Sequence, residues 1–200
     1  MPLLLQISRL IDAVNDLIGK LAMWLILATT LISAGNAIVR KVFNTSSNGL
    51  LEIQWYLFAA AFMLGGGYAF LRNAHVRIDF LSSKFSPRMR HWVDIVGIVV
   101  FLLPLCYMMA SLGWPLFERA WDTGEMSSNA GGLIRWPVYG LIPLGFAVLF
   151  AQGVSELIKR VAFLTGHGPD LLSHEGPSEV EQLAEELAHS DKARQAGVAS

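Results

Sequence analysis

Four stretches without a charged side chain, Leu21 to Val39, Ile53 to Leu71, Ile95 to Phe117 and Trp136 to Ser155, constrain this chain more than any other feature. At about 1.5 Å of rise per residue, roughly 20 helical residues cover a hydrocarbon core of about 30 Å. Backbone groups in lipid must be satisfied within the structure itself, and these runs are too long and unbroken for barrel strands. The expectation is an all-α integral membrane protein with four transmembrane helices, spanning about 18–39, 52–71, 92–117 and 136–157 inside a membrane domain of residues 1–164. Composition agrees: 54% of the 200 residues are apolar and 16% charged, an excess that one soluble core of this size could not absorb.

Short amphipathic helices at the interface are expected as well. Leu3, Ile7, Leu10, Val14 and Leu17 recur at spacings of four and three, with Gln6, Arg9, Asp12, Asn15 and Asp16 elsewhere on the wheel. This reads as a helix lying in the interface, or as a cytosolic helix packed on a partner protein. Ile78, Leu81 and Phe85 make a second short stripe. After it, Ser86-Pro87 offers an N-cap followed by proline at the first helical position, so the third membrane helix should begin near Pro87. Asp12 and Asp16 interrupt what would be the apolar part of a signal peptide, so no cleavage is expected.

Net charge is −1 and the basic residues cluster beside apolar runs, which points to topology and not to nucleic acid. On the N-terminal side lie Arg9, Lys20, Arg72, Arg77, Lys84, Arg88, Arg90, Lys159 and Arg160; opposite them are Arg40, Lys41, Arg119 and Arg135. The richer side is the cytoplasmic one, so both termini are expected there. Residues 165–200 form a polar, mostly acidic cytoplasmic tail. Ser178 and Glu181 read as a capping box opening a short helix to about His189, with a solvated, frayed tail as the alternative.

Candidate chemistry is sparse. An ionisable group near the bilayer centre would mark a transport or relay site, and none of the four runs has one; Glu52 and Glu156 are expected at span ends, solvated by water or headgroups. His75 and His91 are read in the connection after the second span and His167, His174 and His189 in the tail, which leaves no inward axial ligands for haem. Thr29, Ser33 and Ser111 have no partner for nucleophilic chemistry and read as small residues at helix contacts. The single cysteine, Cys106, reads as packing. Pro104 and Pro115 should kink the third span, and Trp136-Pro137 should open the fourth with the indole at the interface. No catalytic residue, cofactor-binding residue or metal ligand is assigned.

The distinctive constellation is Glu52, Trp55 and Tyr56, then Gly65-Gly66-Gly67-Tyr68, then His75-Val76-Arg77-Ile78-Asp79. Glycines in a membrane helix admit another helix closely, either from this bundle or from another protein. Arg77 and Asp79 could pair with each other, with headgroups or with a partner's loop.

On Glu52-x-x-Trp55, Gly67-Tyr68 and His75-Val76-Arg77-Ile78-Asp79 in a four-span layout, roughly residues 10 to 160 resemble the small membrane subunit of tripartite ATP-independent periplasmic (TRAP) transporters, the DctQ-like family. The resemblance implies a bacterial inner-membrane scaffold, not an enzyme. A periplasmic substrate-binding protein would capture an organic acid, and a large multi-span membrane subunit would move it, coupled to sodium outside this chain. Glu52, Trp55, Gly66, Gly67, Tyr68, His75, Arg77, Asp79 and Trp136 are then structural or subunit-interface positions. Two rival readings are a small homo-oligomeric transporter or channel, and a membrane anchor for a redox complex.

Overall fold

In a computed structural model that describes residues 2–44, 47–72 and 86–166, the described residues hold four helices long and apolar enough to cross a membrane. They are α1 (Pro2–Phe43), α2 (Asn48–Leu71), a third helix built of α3 (Pro87–Gly97), a π-helical turn (Ile98–Leu102) and α4 (Leu103–Thr123), and α5 (Trp136–Leu164). All-α architecture is what the apolar runs require. The Ile78-Leu81-Phe85 stripe and the acidic tail, with His167, His174, Ser178, Glu181 and His189, lie outside the described residues.

The ends of the helices follow their local chemistry. Ser86 caps α3 by accepting from the Met89 amide, and Pro87 follows at the first position, where its missing N–H costs nothing. Trp136-Pro137 opens α5 with a proline in its first turn, but without a side-chain cap on Arg135. Pro104 has no N–H to give the Val100 carbonyl, and the turn before it widens so that the Leu103 amide reaches back to Ile98. That π-turn rests on α5, where a Cβ on Gly153 would sit 3.1 Å from both Leu102 and Leu103.

α1 departs from the expected interfacial helix. It is continuous over 42 residues, and the amphipathic segment is simply its first part. Nothing between Asp16 and Leu21 stops a helix, and the polar face has protein partners on α5 that hold it in line with the rest of α1. Ser8, Asn15, Gly19, Ala22 and Asn36 are buried, while Leu3, Leu10 and Leu17 point outward. The helix is therefore polar and small on its inner face, apolar on its outer one.

α5 is the hub, contacted by α1, α2, α3 and α4, with α1 also against α2. Lipid offers no hydrophobic drive for helices to associate, so close approach of small residues has to supply the contact. Among the described residues, the buried apolar positions are small, Ala22, Ala61, Cys106, Ala120 and Ala162, with Ile98 of the π-helical turn the one large exception. A Cβ on Gly145 would lie 2.8 Å from the Met63 backbone oxygen, so α2 and α5 touch at the backbone. Ser33 and Ser111 are exposed and not at helix contacts; Ser111 satisfies its hydroxyl on the Met108 carbonyl at 2.8 Å, as a lipid-facing serine must. His91 is not in a loop: it lies in α3, fully buried, its ring 4.2 Å from that of Phe163.

Candidate functional site

Two clusters of polar side chains hold the bundle, one at each end. At the end carrying the 124–135 loop, Glu52 lies in the first turns of α2 and is 1% exposed. Its carboxylate accepts from the Leu133 amide at 2.6 Å, the Asn129 amide group at 2.8 Å and the Ser127 hydroxyl. Asn48 donates to the Ala130 carbonyl at 3.0 Å and Tyr56 to the Ile134 carbonyl at 3.0 Å. The loop can offer these groups because it is folded on itself. Gly124 closes α4 in the left-handed region, Gly131 turns at φ 71°, and the Ser127 and Arg135 amides donate to the Leu133 and Glu125 carbonyls. Arg135 adds an ion pair to Glu125 at 3.1 Å. Glu52 is thus satisfied by protein donors, not by water or headgroups as the sequence suggests.

At the other end, the polar face of α1 meets the last turns of α5. The buried Gln152 side chain donates to Asp12 at 2.9 Å and accepts from Asn15 at 2.9 Å. Ser155 donates to Asp12 at 2.7 Å, and its oxygen is 2.7 Å from the Ser8 hydroxyl. Lys159 pairs with Asp12 at 3.0 Å and with Glu156. Arg160, 2% exposed, pairs with Glu156 and reaches Asp94 on α3 at 3.1 Å. Glu156, only 4% exposed, is therefore also neutralised by protein groups, a second departure from the expected solvated span end. Carboxylates and cations alternate through this cluster, the arrangement that makes buried charge tolerable.

Beside it, Arg72 donates to Asp16 at 2.5 Å and Lys20 pairs with the same carboxylate at 2.6 Å. The Tyr68 ring lies 5.3 Å from the Arg72 guanidinium, which the Asp16 hydrogen bond holds above the usual arginine range. That pair stays charged at any physiological pH.

The expected interface positions divide. Tyr68 packs on α1, where a Cβ on Gly19 would fall 2.2 Å from its ring, and Gly67 admits Asn15, whose oxygen would be 2.2 Å from an added Cβ. Gly65 and Gly66 face open space, and Trp55 is 60% exposed. Trp136 is half-buried, edge-on to Trp121 at 4.7 Å and near Phe117 at 6.4 Å. His75, Arg77 and Asp79 lie outside the described residues. Sequence reasoning missed the Asp12–Asn15–Gln152–Ser155 cluster. Its signal was two polar stripes at helical spacing, Ser8-Asp12-Asn15 and Gln152-Ser155-Glu156-Lys159. Neither cluster leaves a nucleophile beside a free base; both spend their polar groups on joining helices.

Residues 29–163 match the family model for the DctQ component of tripartite ATP-independent periplasmic transporters. A curated relative, the C4-dicarboxylate TRAP transporter small permease protein DctQ of Vibrio cholerae serotype O1, is 26% identical over 190 residues, covering 83% of this chain and 79% of the relative. No solved structure matches. With the family pattern covering most of a four-span helical bundle, this multi-pass membrane chain belongs to the DctQ-component family of TRAP transporters and is a transporter subunit, not an enzyme.

Proposed function

We propose that the chain is the small permease subunit of a sodium-coupled TRAP transporter that imports an organic acid. In this reading it sits in the bacterial inner membrane with both termini cytoplasmic and braces a large transport subunit. The family match carries the reading, and the name of the Vibrio relative makes a C4-dicarboxylate the first substrate to try. The accounting of charge supports a brace over a path. Glu52 and Glu156, acids of the described bundle that a relay would need free, are consumed by three donors in one case and two cations in the other. Sodium and substrate sites then belong to the large subunit, with capture assigned to a periplasmic binding protein.

The test is affinity purification of the tagged chain from its native host in mild detergent, with partners identified by mass spectrometry. Recovery of a large multi-span membrane protein is expected, and Arg77→Ala should lower that recovery more than it alters substrate preference. Recovery of the chain alone as a stable oligomer would overturn the reading in favour of a path between copies; bound haem in the visible spectrum would point instead to a redox anchor.

A further inference from the structure

Gly65, Gly66 and Gly97 are not there for close approach, since a Cβ built on any of them would meet no atom within 4 Å. Glycine inside a helix is unfavourable, so glycines that admit no neighbour need another reason. All three border one open groove. Gly65 and Gly66 lie along its apolar part, of about 680 Å³, walled by Phe58 and Phe62 of α2 and by Phe146 and Leu149 of α5. Gly97 lies at a smaller cavity of about 370 Å³, with Val93, Asp94 and Arg160. Phe70 and Leu102 line both and so join them, and each volume falls in the range of about 300–1,000 Å³ that ligand sites occupy.

The groove is polar at one end only. Asp94 and Arg160 stand at the end where α2 and α5 finish, at Leu71 and Leu164, and beyond Phe70 the lining is apolar. The apolar part has the length of one leaflet: from Phe70 to Phe58, α2 covers about 18 Å, against about 15 Å for half of a hydrocarbon core of about 30 Å. A membrane helix of another protein crosses the full thickness. A groove that begins polar near the surface and ends apolar near the midplane fits one amphiphile of a single leaflet.

Headgroup chemistry follows from the polar end. Arg160, 2% exposed, is held by Asp94 at 3.1 Å and by Glu156, so its charge is spent within the bundle. Asp94 is the member that reaches the opening, its side chain 28% exposed. A carboxylate has about four acceptor sites, of which Arg160 Nε takes one. An ammonium with N–H bonds to donate fits there, whereas a headgroup with negative charge alone would face the Asp94 carboxylate.

We infer that this groove binds one glycerophospholipid with a primary-ammonium headgroup, as in phosphatidylethanolamine, the headgroup at Asp94 and an acyl chain lying over Gly65 and Gly66. The site needs a membrane chain and not the small-subunit role, so each can fail alone. The test uses the full chain, with any partner it retains, in nanodiscs of equal parts phosphatidylethanolamine, phosphatidylcholine and phosphatidylglycerol. The chain carries benzoylphenylalanine at Phe70 or, as an exposed control on α4, at Leu112. Mass spectrometry after irradiation should show a phospholipid adduct at Phe70 with phosphatidylethanolamine in about ten-fold excess, the worth of one charge-assisted hydrogen bond that choline cannot donate. At Leu112 the adducts should follow the mixture. Gly66→Leu, which fills open space, should abolish the Phe70 excess, and Asp94→Asn should lower it. Adducts at Phe70 in the proportions of the mixture, or an excess that survives Gly66→Leu, would overturn the site. An excess of phosphatidylglycerol would overturn the headgroup assignment, and a polypeptide adduct at Phe70, from a second copy or another subunit, would make the groove a protein-docking face instead.

Discussion

Replacing Gln152 by Leu isolates the contact that holds α1 to α5. Gln152 is fully buried and supplies one neutral hydrogen bond, accepted from Asn15 at 2.9 Å, and two to carboxylates, donated to Asp12 at 2.9 Å and, longer, to Glu156 at 3.4 Å. Asp12 keeps Ser155 and Lys159 when the amide is removed, and Asn15 keeps the Ile11 carbonyl at 3.2 Å, so no charge is stranded. Polar contacts between membrane helices average about 0.6 kcal/mol and reach about 1.7, and a bond to a charged group contributes roughly 1.5–3 kcal/mol in protein interiors. The two short bonds to α1, less the gain from burying the leucine, give a net loss of about 2 kcal/mol. Reversible unfolding in mixed micelles, followed by tryptophan fluorescence during titration with SDS, measures it. A cycle with Asn15→Leu should show coupling of about 1 kcal/mol. Wild-type stability in Gln152→Leu, or strict additivity in the cycle, would refute the claim that this pair joins the helices.

Two further outcomes follow from neighbouring geometry. Gly67→Ala should destabilise the bundle by about 1–3 kcal/mol in the same titration, because its Cβ would meet the Asn15 oxygen at 2.2 Å, while Gly66→Ala, facing open space, should stay within about 0.5 kcal/mol. Glu52→Ala should leave the spans intact but free the 124–135 loop, raising hydrogen exchange at the Leu133 amide about ten-fold or more, since that amide donates to Glu52 at 2.6 Å; unchanged exchange would show that the loop holds itself.

What the sequence makes legible is governed by whether the information is local. Ser86 before Pro87, Trp136 before Pro137 and the four uncharged runs act within a turn or a span, and each is where the sequence places it. Glu52 could not be read correctly in the same way. Its position at the start of α2 looks solvated until the 124–135 loop, some 75 residues on, folds over it with Gly131 turned into the left-handed region. Asp12 and Gln152 are 140 residues apart, and their stripes mean a joint only once α1 and α5 are known to be antiparallel neighbours. The amphipathic pattern of residues 3–17 was visible, but not which face turns inward. Apolar outside and polar inside is the reverse of a soluble helix, and it is settled here by Ser155, Gln152 and Lys159 waiting on α5.

Stiffness is the property that joins these features. Helices in lipid gain little by merely coming together, so a bundle that must hold one shape needs contacts that fix both separation and register. Backbone approach at Gly145 fixes separation between α2 and α5 in the middle of the bundle. Register is fixed at the ends: Glu52 ties α2 to the 124–135 loop, Asp16 ties α1 to Arg72 at the far end of α2, and Arg160 links α5 to Asp94 on α3. Sliding α1 by one turn, about 5.4 Å, would break the Asp12, Asn15 and Asp16 contacts together. Cutting one end alone, as in Glu52→Ala, should therefore loosen a loop, whereas cutting the Gln152 joint should loosen the bundle.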